Sequence, residues 1–307
     1  LHPTATATVA NLYDGGDYHL DPPEIFDRRF GGFGAITKTD ELGYQTKTFY
    51  HQGNETNSPK GEYNDFRAKI GKIYRTEVGT SLATTSTQIN RWDHQLIDSN
   101  TRRFVFLDKT LDFAYDGDTS HKDKAESYSY NTDTGNLTQE VEWGEVTGSD
   151  DGSFTDTGSD KFTTDFTYAA STTLPLPTAA TTTSQSAVLV RASQYYYDNL
   201  PFGQVDKGYQ TKAESWVAGN GAVASYVDTE KTYNSYGLVT EEKDPRDKTT
   251  TYVYDWLNLY PATTTNPLGH QTQFYYDYSV GKPKEIIDPN GYRFQTVYDA
   301  LDRVKEE

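Results

Sequence analysis

The clearest pattern lies in the last third of the chain. Along Lys248-Thr249-Thr250-Thr251-Tyr252-Val253-Tyr254, Thr250, Tyr252 and Tyr254 fall on one face of an extended segment, Thr251 and Val253 on the other, because successive strand side chains point to opposite sides. β-Branched and aromatic residues suit such a pleated surface. Asp255 is predicted to end the strand, its carboxylate accepting a backbone N–H two residues on, and a return strand is predicted from about Leu259 to Thr265. Asn266-Pro267-Leu268-Gly269 closes the unit: Pro267 pre-sets φ and Gly269 is free to take positive φ. Asp288-Pro289-Asn290-Gly291 repeats this turn, and Asp244-Pro245-Arg246-Asp247 is a weaker copy with Asp in place of Gly.

The unit recurs. Tyr254-Asp255, Tyr276-Asp277 and Tyr298-Asp299 follow one another at 22 residues, and so do Asp244-Pro245, Asn266-Pro267 and Asp288-Pro289. Tyr233-Asn234 is an approximate fourth copy, one residue out of phase. A hairpin with seven-residue strands spans roughly 24 Å and cannot bury its apolar face alone. The predicted fold is therefore all-β: antiparallel hairpins of about 22 residues, stacked into a long sheet that coils through its own twist. Degenerate units are read at Tyr128-Ser129-Tyr130-Asn131 and Tyr195-Tyr196-Tyr197-Asp198, and a further turn at Asp40-Glu41-Leu42-Gly43. Residues 148–160 read as an exposed loop. Ala169 to Ala187, rich in Thr, Ser and Ala, reads either as a linker or as an edge strand. It places a division between a degenerate region, residues 1–170, and a repeat region, residues 171–307.

Composition narrows the function classes. Only 34% of residues are hydrophobic and mean hydropathy is -0.80, yet 14% are aromatic, with 25 Tyr and 14 Phe. Disordered chains are poor in aromatics, so a thin, extended core is expected. The formal charge of -17 offers no obvious source of cations for a nucleic-acid backbone and disfavours an acidic membrane. Cysteine is absent, which removes disulfides, zinc thiolates and thiol catalysis. No apolar run approaches the roughly 18 residues of a membrane span. Leu1-His2-Pro3-Thr4 is not a signal peptide, and the stop at Glu307 falls inside a repeat; a fragment of a longer protein, truncated at its C-terminus, is expected.

The Tyr-Asp and Asp-Pro-x-Gly units of residues 233–307 resemble the YD (Rhs) repeats of Rhs polymorphic toxins, teneurins and the B and C components of insecticidal Tc toxin complexes. Upstream, Phe26-Asp27-Arg28-Arg29-Phe30-Gly31-Gly32-Phe33-Gly34, Thr48-Phe49-Tyr50-His51-Gln52-Gly53-Asn54, Gly61-Glu62-Tyr63, Ile70-Gly71-Lys72 and Tyr196-Tyr197-Asp198-Asn199-Leu200-Pro201-Phe202-Gly203-Gln204-Val205 are similar to the Tc B segment that passes from its propeller-containing region into the shell. The resemblance implies a hollow, strand-built shell enclosing a toxic C-terminal polypeptide, a secreted or cell-surface location, and contact with the parent chain, its cargo and a Tc-type translocation channel. The aspartyl autoprotease motif of the family is not matched, so no catalytic residue carries over.

Candidate chemistry is sparse, and no catalytic residue, cofactor or metal is assigned. Recurrent aspartates invite a metal or acid/base reading, but a residue repeated at every turn serves the turn. Asp150, Asp151, Asp156 and Asp160 read either as a solvated loop or as calcium ligands. Of the histidines at 2, 19, 51, 94, 121 and 270, none pairs at helical metal-ligand spacing. His51 is either a hydrogen-bonded strand-end residue or a functional one. Asp27, Arg28, Arg29 and Phe30 form a cluster that either contacts a partner or packs internally. Tyr252, Tyr254, Tyr275, Tyr276 and Tyr298 read as cross-strand ladders or as an exposed platform for glycans. The leading expectation is a non-catalytic shell segment; the alternative is an extracellular adhesin or surface-fibre module.

Overall fold

The computed structural model describes residues 10–20, 28–53, 57–97, 102–116, 119–171, 173–219 and 225–306. The chain is all-β. Among the described residues, twenty strands belong to antiparallel sheet and two more form a separate terminal hairpin. Two short 3₁₀ turns, Ser58–Lys60 and Arg67–Lys69, interrupt the strands.

The chain divides into two units, Leu1–Phe166 with Thr182–Val190, and Thr167–Thr181 with Arg191–Glu307. The first is a meander of β1 (Ala10–Leu20), β2 (Arg28–Thr39), β3 (Tyr44–Tyr50), β4 (Ile73–Thr80), β5 (Thr84–Leu96), β6 (Arg103–Tyr115), β7 (His121–Tyr130) and β8 (Leu137–Gly148), each strand paired with the next. β8 also pairs with β9 (Phe154–Asp156) and with β10 (Phe162–Tyr168). Its larger core cluster joins Ile89, Leu111, Phe113, Ala125 and Val146, with Trp143 and Phe154 against it. A smaller cluster joins Ala35, Phe49 and Tyr74.

Residues 148–160, read from sequence as an open loop, are more ordered than that. Phe154–Asp156 pairs with the end of β8, because Phe154 can bury its ring against Trp143 at 5.5 Å. The Thr-rich stretch is likewise a strand, β11 (Pro177–Ser184). Thr178 and Thr182 are buried, their hydroxyls bonded to Thr167 and Thr164, which removes the cost of burying them bare.

The second unit carries β12 (Leu189–Tyr197), β13 (Gln210–Ala218), β14 (Ser225–Tyr233), β15 (Val239–Lys243), β16 (Thr249–Tyr254), β17 (Pro261–Thr265), β18 (Gln271–Asp277), β19 (Lys282–Ile287) and β20 (Arg293–Gln295), paired consecutively. β21 (Val297–Tyr298) and β22 (Val304–Glu306) make the last hairpin. Strands here are shorter than the sequence pattern implied: the return strand starts at Pro261, because the turn after Tyr254 runs on until Asp255 N–H meets the Tyr260 carbonyl at 2.9 Å. After Thr211 no described residue is fully buried, so the repeats have little private core.

Candidate functional site

In eight ladders among the described residues the register slips just before a tyrosine: Tyr18, Tyr50, Tyr130, Tyr197, Tyr233, Tyr254, Tyr276 and Tyr298. The extra residue of each bulge lies on the return strand, as Thr138, Thr211 and Thr240 do, and these three threonines bond back to the carbonyl of the residue before the tyrosine. A bulge bends the pair and raises its twist. The tyrosine then reaches the neighbouring hairpin. Tyr197, Tyr233 and Tyr298 donate their hydroxyls to the carbonyls of Pro177, Gln210 and Pro283 at 2.7, 2.8 and 2.8 Å. Tyr233 stacks on Tyr209, and Tyr276 on Tyr260 with ring centroids 4.5 Å apart. Tyr252, Tyr254, Tyr276 and Tyr298 are half-buried, whereas Tyr275 is exposed.

Asp244, Asn266 and Asp288 each accept, on one side-chain oxygen, the N–H groups two and four residues on, at 2.8–3.0 Å. The fourth residue of each turn, Asp247, Gly269 or Gly291, is left-handed, with φ of 59, 83 and 87°. This is a type I turn followed by a left-handed residue, the geometry of a short bulged hairpin, and Pro245, Pro267 and Pro289 sit where Pro pre-sets φ. Asn234 and Asp299 build the same turn without proline. Asp255 accepts from Leu259 N–H and from the Tyr278 hydroxyl, and Asp277 from the N–H and hydroxyl of Ser279. Asp198, one residue after its tyrosine, receives four backbone N–H groups, from Asp206, Lys207, Gly208 and Tyr209, at 2.8–3.0 Å. Burial alone would raise its carboxyl, but these four donors outweigh burial and hold it below the usual carboxylate range.

His51, like His19 after Tyr18, stands at the position that Asp or Asn occupies in the six copies from Tyr130 onward. Its N–H still meets a return-strand carbonyl, Lys72 at 2.9 Å, but the intervening segment is enlarged to residues 52–71, and its described residues, 52–53 and 57–71, form a polar knot. His51 is fully buried, with Nδ1 at 2.9 Å from Asp65 Oδ1 and 3.1 Å from Glu62 Oε1. The second oxygen of each carboxylate accepts a backbone N–H at 2.7 Å, Glu62 from Asn57 and Asp65 from Gly53. Burial pulls the imidazole pKa down, but hydrogen bonds and charge from Asp65 and Glu62 win and raise it. Lys69 is also fully buried and spends its ammonium on the carbonyls of Tyr63, Asn64 and Trp92 at 2.7–2.9 Å. Tyr74 lies against His51, its ring 5.3 Å away, and burial, with Glu62 nearby, pushes its hydroxyl up to about 12.

The chain superposes on solved structures containing TcdB2 and TccC3. Against the TcdB2–TccC3–Cdc42 crystal structure the TM-score is 0.68 at 11% identity, covering 97% of this chain and 21% of that one. Against TcdB2–TccC3–TEV it is 0.70 at 11% identity, with the same coverages of 97% and 21%. The pore form of the Photorhabdus luminescens Tc holotoxin, with a substituted TccC3, also gives 0.70 at 11% identity, 97% and 21%. This is the fold of a TcdB2–TccC3 segment. The chain spans about a fifth of the length of those it matches. No family model and no curated protein matches its sequence.

The remaining sequence candidates are dispersed. Asp27 lies outside the described residues, as do the side chains of Arg28 and Arg29; Phe30 is exposed and meets Phe33 edge-on at 5.4 Å. The acidic loop does not converge: Asp150 pairs with buried Arg75 at 2.8 Å, Asp151 caps Ser153, Asp156 faces Gly158 N–H and Asp160 accepts from Glu145 N–H. His94 stacks on Phe66, His121 bonds Asp123 and His270 lies beside Asn266; His2 and the side chain of His19 are outside the described residues. Sequence reasoning passed over Asp65 and Lys69 and gave Glu62 no role. The available signal was His51 itself, a histidine where the six later copies carry a turn-forming Asp or Asn.

Proposed function

We propose that the chain is a non-catalytic wall segment of a secreted YD-repeat shell that encloses a toxic C-terminal cargo. The observation that carries this reading is the bulge-and-tyrosine device, repeated in a chain whose fold follows TcdB2–TccC3 along 97% of its length. Asp or Asn follows the tyrosine in the hairpins of the second unit, and Tyr197, Tyr233, Tyr276 and Tyr298 reach a neighbouring hairpin, so the sheet grows by addition rather than around a globular core. A wall needs cohesion between neighbours more than depth. Its partners in this reading are the rest of the parent chain, the cargo and a Tc-type translocation channel, outside the producing cell or at its surface. The test is cryo-electron microscopy of the longest natural polypeptide containing the segment. A hollow closed particle with internal density is expected; a solid rod or fibre would overturn the reading.

A second reading, an adhesin or surface-fibre module, is favoured by one observation. Trp256 and Tyr292 are 82% and 68% exposed, and exposed aromatic faces bind sugars. Glycan-array binding lost in Trp256→Ala would support it.

A further inference from the structure

The polar knot at His51 holds a set of ligand atoms that the wall reading does not use. His51 Nδ1, a Glu62 oxygen and an Asp65 oxygen lie within 4.8 Å of one another. Both carboxylates are aimed. Backbone N–H groups of Asn57 and Gly53 hold their outer oxygens, which leaves Oε1 and Oδ1 turned to the same imidazole nitrogen. The imidazole is held too, because the backbone of His51 is bonded on both sides, to the Lys72 carbonyl and the Gly71 N–H. Such outer contacts orient ligands in metal sites and keep them pre-organised.

We propose that His51 Nδ1, Glu62 Oε1 and Asp65 Oδ1 bind a first-row divalent cation, with zinc as the best match. One imidazole nitrogen and two carboxylate oxygens are a borderline-hard donor set of the kind zinc accepts, with three protein ligands and a water in the fourth position. Glu62 supplies the access: with Gln52, Asn57 and Tyr74 it lines a cleft of about 490 Å³, wide enough for an ion to enter and for a water to complete its shell. Zinc–ligand bonds of about 2.0–2.1 Å place tetrahedral ligands roughly 3.3 Å apart. The N–O separations of 2.9 and 3.1 Å then open by a few tenths of an ångström. A metal-bound imidazole carries no proton on its ligating nitrogen, so zinc and protons compete for Nδ1.

The test uses the whole chain, stripped of metal by a chelator and titrated with zinc chloride. Expected are one zinc retained per chain after gel filtration, a rise of several degrees in the thermal midpoint, release of protons to the buffer, and an X-ray absorption spectrum with one imidazole nitrogen among oxygens. His51→Gln and Asp65→Asn should each lower the affinity at least 100-fold, and calcium should not substitute. Because His51→Gln removes a buried group and can unfold the knot, Glu62→Gln, which keeps the Asn57 contact and the shape, is the second variant; at least a 10-fold loss is expected. Retention of no zinc by the folded wild type, zinc retained equally by all three variants, or a spectrum without imidazole would overturn the proposal. The test is independent of whether the parent forms a shell.

Discussion

The Tyr233 hydroxyl donates to the Gln210 carbonyl at 2.8 Å, and Gln210 is the residue that faces Tyr197 in the preceding hairpin. The relation recurs at Tyr298, whose hydroxyl meets the carbonyl of Pro283, the residue facing Tyr276. One hydroxyl therefore ties each of these hairpins to the one before it. Tyr233→Phe keeps the stack on Tyr209 and removes only this bond, so it should cost about 1 kcal/mol. Urea unfolding followed by tyrosine and tryptophan fluorescence measures it; no change would mean that the bond is incidental.

Asp198→Asn should destabilise by about 1–3 kcal/mol near neutral pH, since an amide offers one acceptor oxygen where the carboxylate uses two for four donors. The sign with pH follows from the lowered carboxyl. Its contribution is present above the unfolded value of about 3.9 and is lost as pH falls through the folded value. The stability difference between wild type and Asp198→Asn should accordingly shrink below about pH 4. A difference that is flat across pH 2 to 7 would contradict the role given to the charge.

Two glycines with almost the same left-handed φ should respond differently. A Cβ at Gly269 meets nothing within 4 Å, whereas one at Gly61 would lie 2.5 Å from Ile89 Cγ2 in the core. Gly269→Ala should cost only backbone strain, about 1 kcal/mol. Gly61→Ala should add about 1–3 kcal/mol of overpacking to that. Thermal midpoints of the pair, measured side by side, check the difference.

Lys69→Met should cost about 3–5 kcal/mol, because it strips three buried carbonyls of their donor and removes a positive charge that interacts with Asp65 and Glu62. Hydrogen exchange is the sharper readout. Amides of residues 57–72 should lose protection first, while those of β6 and β7 keep theirs; uniform loss would show that the knot does not open as a local unit.

Much of the second unit was legible in the sequence, because a turn is decided within four or five residues. Asp-Pro-x-Gly carries its own acceptor, its own φ constraint and its own left-handed site, so Asp288 to Gly291 folds the same way wherever it is placed. Even Asp247, the departure from that pattern, adopts the left-handed φ of 59° that its position requires. The alternation of Thr and Tyr along β16 determined strand type in the same local way. The bulges were not legible, since the extra residue of a ladder exists only when two strands are paired.

Distance in sequence hid the rest. Arg75 meets Asp150 across 75 positions, and residues 148–160 became partly ordered because Phe154 found Trp143. The local pattern of residues 169–187 left linker and strand equally open; burial of Thr178 and Thr182 against hydroxyl partners decided for strand. His51 shows the division most plainly. Its place after Tyr50, in the position of the turn aspartates, is a fact of the sequence. That Glu62 and Asp65 converge on one of its nitrogens, at 3.1 and 2.9 Å, was decided only by the fold of an enlarged turn, because short-range propensity says nothing about where buried charges meet.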